Sequence, residues 1–342
     1  MRLIFLAACF CLTGCYVMNQ ALVQNSLLNS RKPVSEVIQA PETSKKVRKK
    51  LKFTQKVLRC AAEEGLNTQR AYDYFVAIDG DAVSYVVYGA EKLKLESVTW
   101  WFPVVGTVPY LGFFDPKKRD EEALDLVSQG YDVSKGSVGA FSSLGWFEDP
   151  IYSPMLRRSD ASLAHLFLHE LIHRSFWSQG SVRFNENLAE YCSLLLTEKF
   201  LLKEGRKRDL VMFLARRSDR KKYKIWLKDL KEALTDLYAK PLDEPTMLSE
   251  KAKVFRVFLS DRWPSFESKG YRNIKNREWN NARVVSASLY SPDTERFAKA
   301  HSCLPGSSVG EFLSRIKEAE MEYDDAFEAL DSLCRVEDSE VD

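Results

Sequence analysis

The sequence predicts an α+β fold, with a small mixed or antiparallel sheet in its N-terminal part and a mostly helical remainder. Three observations carry that prediction. β-Branched and aromatic residues concentrate between Tyr72 and Phe114. Helix-period apolar spacing dominates after Asp160. The 342 residues are 45% hydrophobic and 29% charged, which supplies a sizeable core. Length allows one or two domains. The reading adopted is a leader over 1–14 and a single domain over 15–342, helical at both of its ends.

Each element follows from local patterning. Met18 to Ile38 reads as a helix with Pro33 marking a break. A second helix runs from Ser44 to about Glu64 and stops at Gly65. Val83 to Tyr88 and Ser97 to Phe102 have strand composition. Pro103, Gly106, Pro109 and Gly112 make Val104 to Phe114 strand and turn. Pro116 to Gly130 is helical, with Ala123, Leu124 and Val127 at helical spacing. Gly136 to Pro154, rich in Gly, Ser and aromatic residues, reads as an extended loop. Asp160 can cap the helix that follows. Beyond it lie helices over Asn187 to Lys203, on to about Leu237, Val254 to Trp263, Asn280 to Tyr290, and Val309 to about Asp331.

The formal net charge of +2 gives no bias toward nucleic acid, and no nucleic-acid partner is expected. The one dense basic run, Lys45 to Lys52, reads as a solvated helix face. At the N-terminus, Met1-Arg2 precedes an apolar run from Leu3 to Leu12, too short to span a bilayer. Leu12-Thr13-Gly14-Cys15 resembles the lipobox of bacterial lipoprotein signal peptides. That resemblance implies cleavage before Cys15, lipidation of Cys15, and a lipid-anchored place in the cell envelope, on the periplasmic face of the outer membrane in a Gram-negative cell. Cys60, Cys192, Cys303 and Cys334 remain, an even number that admits two disulfides or four buried thiols.

The chemistry-bearing segment is Leu163 to His173. His169 and His173 are four residues apart, so a helix sets both imidazoles on one face. Two neutral imidazole nitrogens can then hold one zinc ion. Glu170, between them, can act as general base. The flanking residues are almost all apolar, and a chain with only four histidines rarely forms HExxH by chance. His165, one turn earlier, reads as a buried structural histidine. A catalytic zinc needs a third protein ligand. Asn185-Glu186 resembles the gluzincin metallopeptidases, in which a glutamate of a following helix, often preceded by asparagine, completes the site. The resemblance implies Glu186 as third ligand, with Glu190 as the alternative. If Glu186 ligates, Glu190 is placed to accept a hydrogen bond from a ligand histidine. The fold implied for the helical core is zincin-like. Twelve residues separate His173 from Glu186, fewer than in the best-known gluzincins, which requires a tight turn at Gly180.

The resemblance extends over roughly Ser26 to Ile316. The blocks Phe102 to Asp115, Phe141 to Pro150, and Asn280-Asn281-Ala282 followed by Tyr290 resemble a bacterial family described as putative zinc-dependent aminopeptidases. Leu111 departs from the family's usual basic residue, and Phe141 from its usual tyrosine. The resemblance implies peptide hydrolysis, with Tyr290 as oxyanion donor and Tyr110 as a second candidate. Val108 to Phe114 can form a sheet edge for peptide addition, with Tyr110 and Gly112 as substrate-binding positions; a buried hairpin is the other reading. Gly145-Trp146-Phe147 reads as packing. Glu148, Asp149 or Asp115 can hold a substrate's free amine. The expected partners are a peptide and, through the lipid, a membrane. The competing functions are an endopeptidase on the same site and a non-catalytic lipoprotein stabilised by zinc.

Overall fold

A computed structural model describes residues 23, 25–102, 106–138, 149–289 and 294–335. The fold is α+β, about 59% helical with small sheets. Backbone contacts divide the chain into two interleaved units.

One unit comprises Met1–Ser30, Ile78–Phe141 and Leu214–Ser291. Its strands are β3 (Ser84–Ala90), β4 (Trp100–Phe102), β5 (Gly106–Val108), β6 (Leu111–Phe113) and β7 (Asp132–Val138). β3 lies between β6 and β7, antiparallel to both, and β4 pairs with β5 as a separate hairpin. Val87, Leu111 and Phe113 pack on Ala123 and Leu126 of helix Pro116–Ser128. Of the three residues whose spacing marked that helix, Ala123 is buried while Leu124 and Val127 are exposed. A second core gathers Trp226, Leu230, Leu234, Phe255, Phe258, Trp279 and Val284. These come from helices Lys207–Tyr238, Glu244–Ser260 and Asn281–Leu289 and the segment before the last. Asn281 is fully buried, and its amide donates to the carbonyls of Glu91, Lys92 and Lys94 at 2.9–3.0 Å. Its carbonyl oxygen accepts from Tyr238 Oη at 2.8 Å. The Asn280-Asn281 block therefore anchors the turn after β3 through the Asn281 side chain, a buried amide whose polar atoms are all paired.

The other unit comprises Arg31–Ala77, Ser142–Phe213 and Pro292–Asp342. Its sheet is β1 (Lys32–Pro33), β2 (Tyr74–Val76) and β8 (Ile151–Tyr152), with β1–β2 antiparallel and β2–β8 parallel. The helix expected across 18–38 is interrupted by β1. Pro33 cannot donate within a helix, and it opens a new one, α1 (Val34–Gln39). α2 (Lys45–Glu63) starts on Ser44, whose hydroxyl accepts from Val47, and ends at Gly65 with φ +82°. The segment expected to be one loop, 136–154, contains the end of β7 and all of β8, with residues 139–148 outside the described set. A short 3-10 turn, Ser153–Arg157, then leads to α4 (Asp160–Ser175), counting helix Pro116–Ser128 as α3. Ser159, not Asp160, caps α4, accepting from Ser162 N. Asp160 instead bridges Lys50 and Arg206.

α2 and α5 (Val182–Lys203) both pack against α4. Leu51, Val57 and Ala61 of α2, Leu163, Phe167 and Leu171 of α4, and Leu188, Cys192 and Leu196 of α5 are buried. The terminal helix expected from Val309 to Asp331 divides into Val309–Ala319 and Ala326–Ser332, each with its own cap. Cys303 and Cys334 form a disulfide across 31 residues, while Cys60 and Cys192 are buried thiols. Closing a loop of that length stabilises the fold by about 3–4 kcal/mol. The start of Val309–Ala319 docks on the end of α2 through two glycines. Gly310 N donates to the Glu64 carbonyl at 2.8 Å, and a Cβ at Gly310 would fall 2.7 Å from that oxygen. Gly310→Ala is expected to destabilise the protein by about 1–3 kcal/mol, read as a lowered Tm, because the obstacle is backbone on both sides.

Candidate metal centre

α4 is apolar on nearly every side, so its polar residues are placed by packing rather than by solvent. Its 3.6-residue period puts His169 and His173 on one face. α5 returns after only six residues, 176–181, and a buried amide fixes that return. Asn185 Oδ1 accepts from Ser178 N at 2.9 Å, and its Nδ2 donates to Ser178 O at 2.7 Å. Gly180, at φ +77°, makes the turn. Asn185 is thus the clamp that aims the next residue, Glu186, at the two histidines.

The three side chains converge. His169 Nε2 lies 3.5 Å from Glu186 Oε2, and His173 Nε2 lies 3.5 Å from Glu186 Oε1. One ligand atom from each falls within 4.8 Å of the others. Ligand atoms held tetrahedrally at zinc distances are about 3.3 Å apart, so this donor set fits a zinc-sized ion. Both Nδ1 atoms are buried without a hydrogen-bond partner among the described residues, leaving the tautomer to be fixed from outside. Glu190 Oε2 stands 4.0 Å from His169 Nδ1 and 3.6 Å from His165 Nε2, which also meets Ser193 Oγ at 3.2 Å. Glu190 is buried, whereas the Glu186 side chain is 40% exposed and open to an incoming group. The Trp177 ring packs edge-on against His173, with centroids 5.4 Å apart.

Charge is unevenly distributed over the pair. Burial works against a charge on His169, but the hydrogen bond to Glu186 and the charges of Glu170, Glu186 and Glu190 hold its pKa above the ordinary value. Burial, reinforced by the charge of His169, pushes His173 down to about 4, against the pull of Glu186. Burial would raise Glu186, yet the His169 hydrogen bond and both histidine charges keep it below its usual range. At neutral pH the metal-free site therefore offers a neutral His173 and an ionised Glu186.

Glu170 lines a water-sized pocket with Ala71, Tyr72, Asp149, Leu171 and Arg174. Tyr72 is buried at φ +60°, an uncommon backbone for a non-glycine, with its ring edge-on to Phe167 at 4.5 Å. Burial, then the charges of Glu170 and Asp149, raise its hydroxyl well above the ordinary range. Arg174 Nη2 donates to Gln69 O at 2.6 Å. Sequence reasoning missed Tyr72 because nothing local distinguishes a buried tyrosine; only its backbone angle and its neighbours do. Asp149, one of three carboxylates considered for a substrate amine, does lie beside Glu170, whereas Asp115 caps helix Pro116–Ser128. Tyr110 and Gly112 belong to the first unit. Tyr110 packs near Tyr88, and Gly112 lies on β6, which pairs with β3. Cys15, Glu148 and Tyr290, with Gly145-Trp146-Phe147, lie outside the described residues.

No curated protein and no solved structure matches the chain. The family described as "Putative aminopeptidase" matches residues 15–326, nearly the whole length, with the metal centre inside the match. The chain belongs to that putative aminopeptidase family.

Proposed function

We propose that the chain is a zinc-dependent aminopeptidase with a zincin-like core, anchored to the cell envelope by lipid on Cys15. One observation carries the reading: two imidazoles of α4, flanking Glu170 in sequence, converge with a carboxylate of α5 in a member of this family. His169, His173 and Glu186 would hold the metal. When bound, zinc supplies Lewis-acid polarisation of the scissile carbonyl and a more acidic water. Glu170 takes the proton of the attacking water and returns it to the leaving amine. Glu190, 4.0 Å from His169 Nδ1, would orient that ring once it closes to accept the Nδ1–H. Asp149 receives the substrate's free amine beside Glu170. Tyr290 serves as oxyanion donor, and Tyr110 and Gly112 are the positions proposed to contact the substrate.

The experiment is digestion of a peptide library and of amino-terminal reporters by the full chain, before and after chelation and zinc return. Release of single amino-terminal residues that stops on chelation and resumes with zinc is the expected result. Internal cleavage alone would make it an endopeptidase. A zinc-loaded protein that cleaves nothing would overturn the enzymatic reading.

Zinc affinity should also depend on pH with a defined sign. His173, at about 4, is already neutral at pH 7, whereas His169, raised above 6.5, must lose a proton to ligate. As pH falls through the His169 value, protons compete with the metal, and affinity drops about tenfold per pH unit for one proton. Zinc titrations between about pH 5 and 8 check this; an affinity independent of pH there contradicts it.

A further inference from the structure

A second feature of the same unit lies outside the metal centre. α2 carries Lys45, Lys46, Arg48, Lys49, Lys50, Lys52, Lys56 and Arg59 against the single acid Glu63. Lys45, Lys49, Lys52 and Lys56 fall at spacings of four, three and four, so they form one stripe. That stripe lines a groove of about 430 Å³ with Arg48, Phe53 and Arg206. The arrangement breaks two local rules. Like charges at these spacings repel. The first turn of α2 has no acid and two lysines, at the end of the helix where the dipole already favours an anion.

The compensation present is incomplete. Lys56 pairs with Glu204 at 2.5 Å, and Lys50 with Asp160 at 2.6 Å. Arg206 is held by Asp160 and Asp209 and lies 4.8 Å over the Phe53 ring, which makes one wall of the groove rigid. Among the described residues Lys45, Lys49 and Lys52 have no carboxylate within ion-pair distance. Arg48 donates through Nη2 to Ala40 O at 2.8 Å, but its Nε is buried with no acceptor. The groove thus holds three unneutralised ammonium groups, an unpaired guanidinium N–H and an aromatic floor. Basic segments of this kind attract anionic membrane surfaces, each added cation strengthening binding.

We propose that this groove binds the phosphate headgroups of anionic lipid, holding the α2 face against a membrane surface. The chemistry recognised is a phosphate monoanion or diester. Membrane lipid is its source because Lys45 follows the lipobox cysteine Cys15 by thirty residues, so an anchored chain would keep the stripe near headgroups. The proposal rests on the lipid-anchor reading of Cys15 and not on peptidase activity.

The test is flotation of the full chain with vesicles of neutral phosphatidylcholine, and of phosphatidylcholine with about 30 mol% phosphatidylglycerol. The N-terminal apolar segment contributes equally to both, so the difference reports the groove. Affinity should be on the order of a hundredfold higher for the anionic vesicles, with the difference collapsing in about 0.5 M salt. The variant Lys45→Glu, Lys49→Glu, Lys52→Glu should lose the preference, and the milder Lys45→Gln, Lys49→Gln, Lys52→Gln should lose most of it with its fold retained. Equal affinity for both vesicles, or a preference that survives both variants, overturns the proposal. Abolition of the preference by millimolar inorganic phosphate alone would assign the groove to free phosphate and equally overturn it.

Discussion

Replacing Glu170 by glutamine is expected to lower peptidase turnover by about 10²–10⁴-fold while zinc remains bound. The amide keeps the shape of the side chain and cannot accept a proton. Glu170 is not among the converging ligand atoms, so its loss should leave metal stoichiometry unchanged. It is half-buried in a pocket too small for more than about one water, which suits a base that handles a single proton. Measured kcat should fall with little change in KM. Loss of zinc from this variant would give Glu170 a ligand's role and remove the proposed base.

Replacing Glu186 by alanine should remove both metal and activity. Outer partners of metal ligands are worth about 10–100-fold in affinity, and a ligand itself is worth more, so zinc affinity should fall by at least about a hundredfold. The variant should fold, because the Glu186 side chain is 40% exposed and the clamp that closes the turn belongs to Asn185. Retention of zinc with Glu186 absent would transfer the third position to Glu190, whose carboxylate lies 4.0 Å from His169.

The candidate metal centre was largely legible because the convergence of its two histidines is a local pattern. His169, Glu170 and His173 sit within two helical turns, and periodicity alone fixes which of them share a face. Glu186 needed a tertiary step across a turn, and resemblance pointed to it. The asparagine before it was legible as a motif, but its work as a clamp on Ser178 was not. Tyr72 could not be found in this way, and Asp149 was named as one of three carboxylates but not as a neighbour of Glu170. They reach Glu170 through β2 and β8, strands of two or three residues whose parallel pairing joins segments far apart in sequence. Such short strands carry little alternation to read. Low alternation also hid β7, where Gly136 and four polar residues mask a strand that pairs along the whole of β3. α2 was clear, because its cap, periodicity and terminal glycine agree, whereas α4 is capped by Ser159 in place of Asp160 and α5 starts at Val182, ahead of the expected Asn187. Leu124 and Val127 helped to mark their helix and are exposed on it, so apolar spacing marks a helix before it marks its buried face.

Zinc K-edge X-ray absorption on the metal-loaded full chain and on its Glu186→Ala variant tests the central claim most directly. The account predicts two imidazole nitrogens and carboxylate oxygen at about 2.0–2.2 Å, no sulfur, and loss of the carboxylate contribution in the variant. Sulfur at about 2.3 Å, or a spectrum unchanged by the substitution, would contradict it.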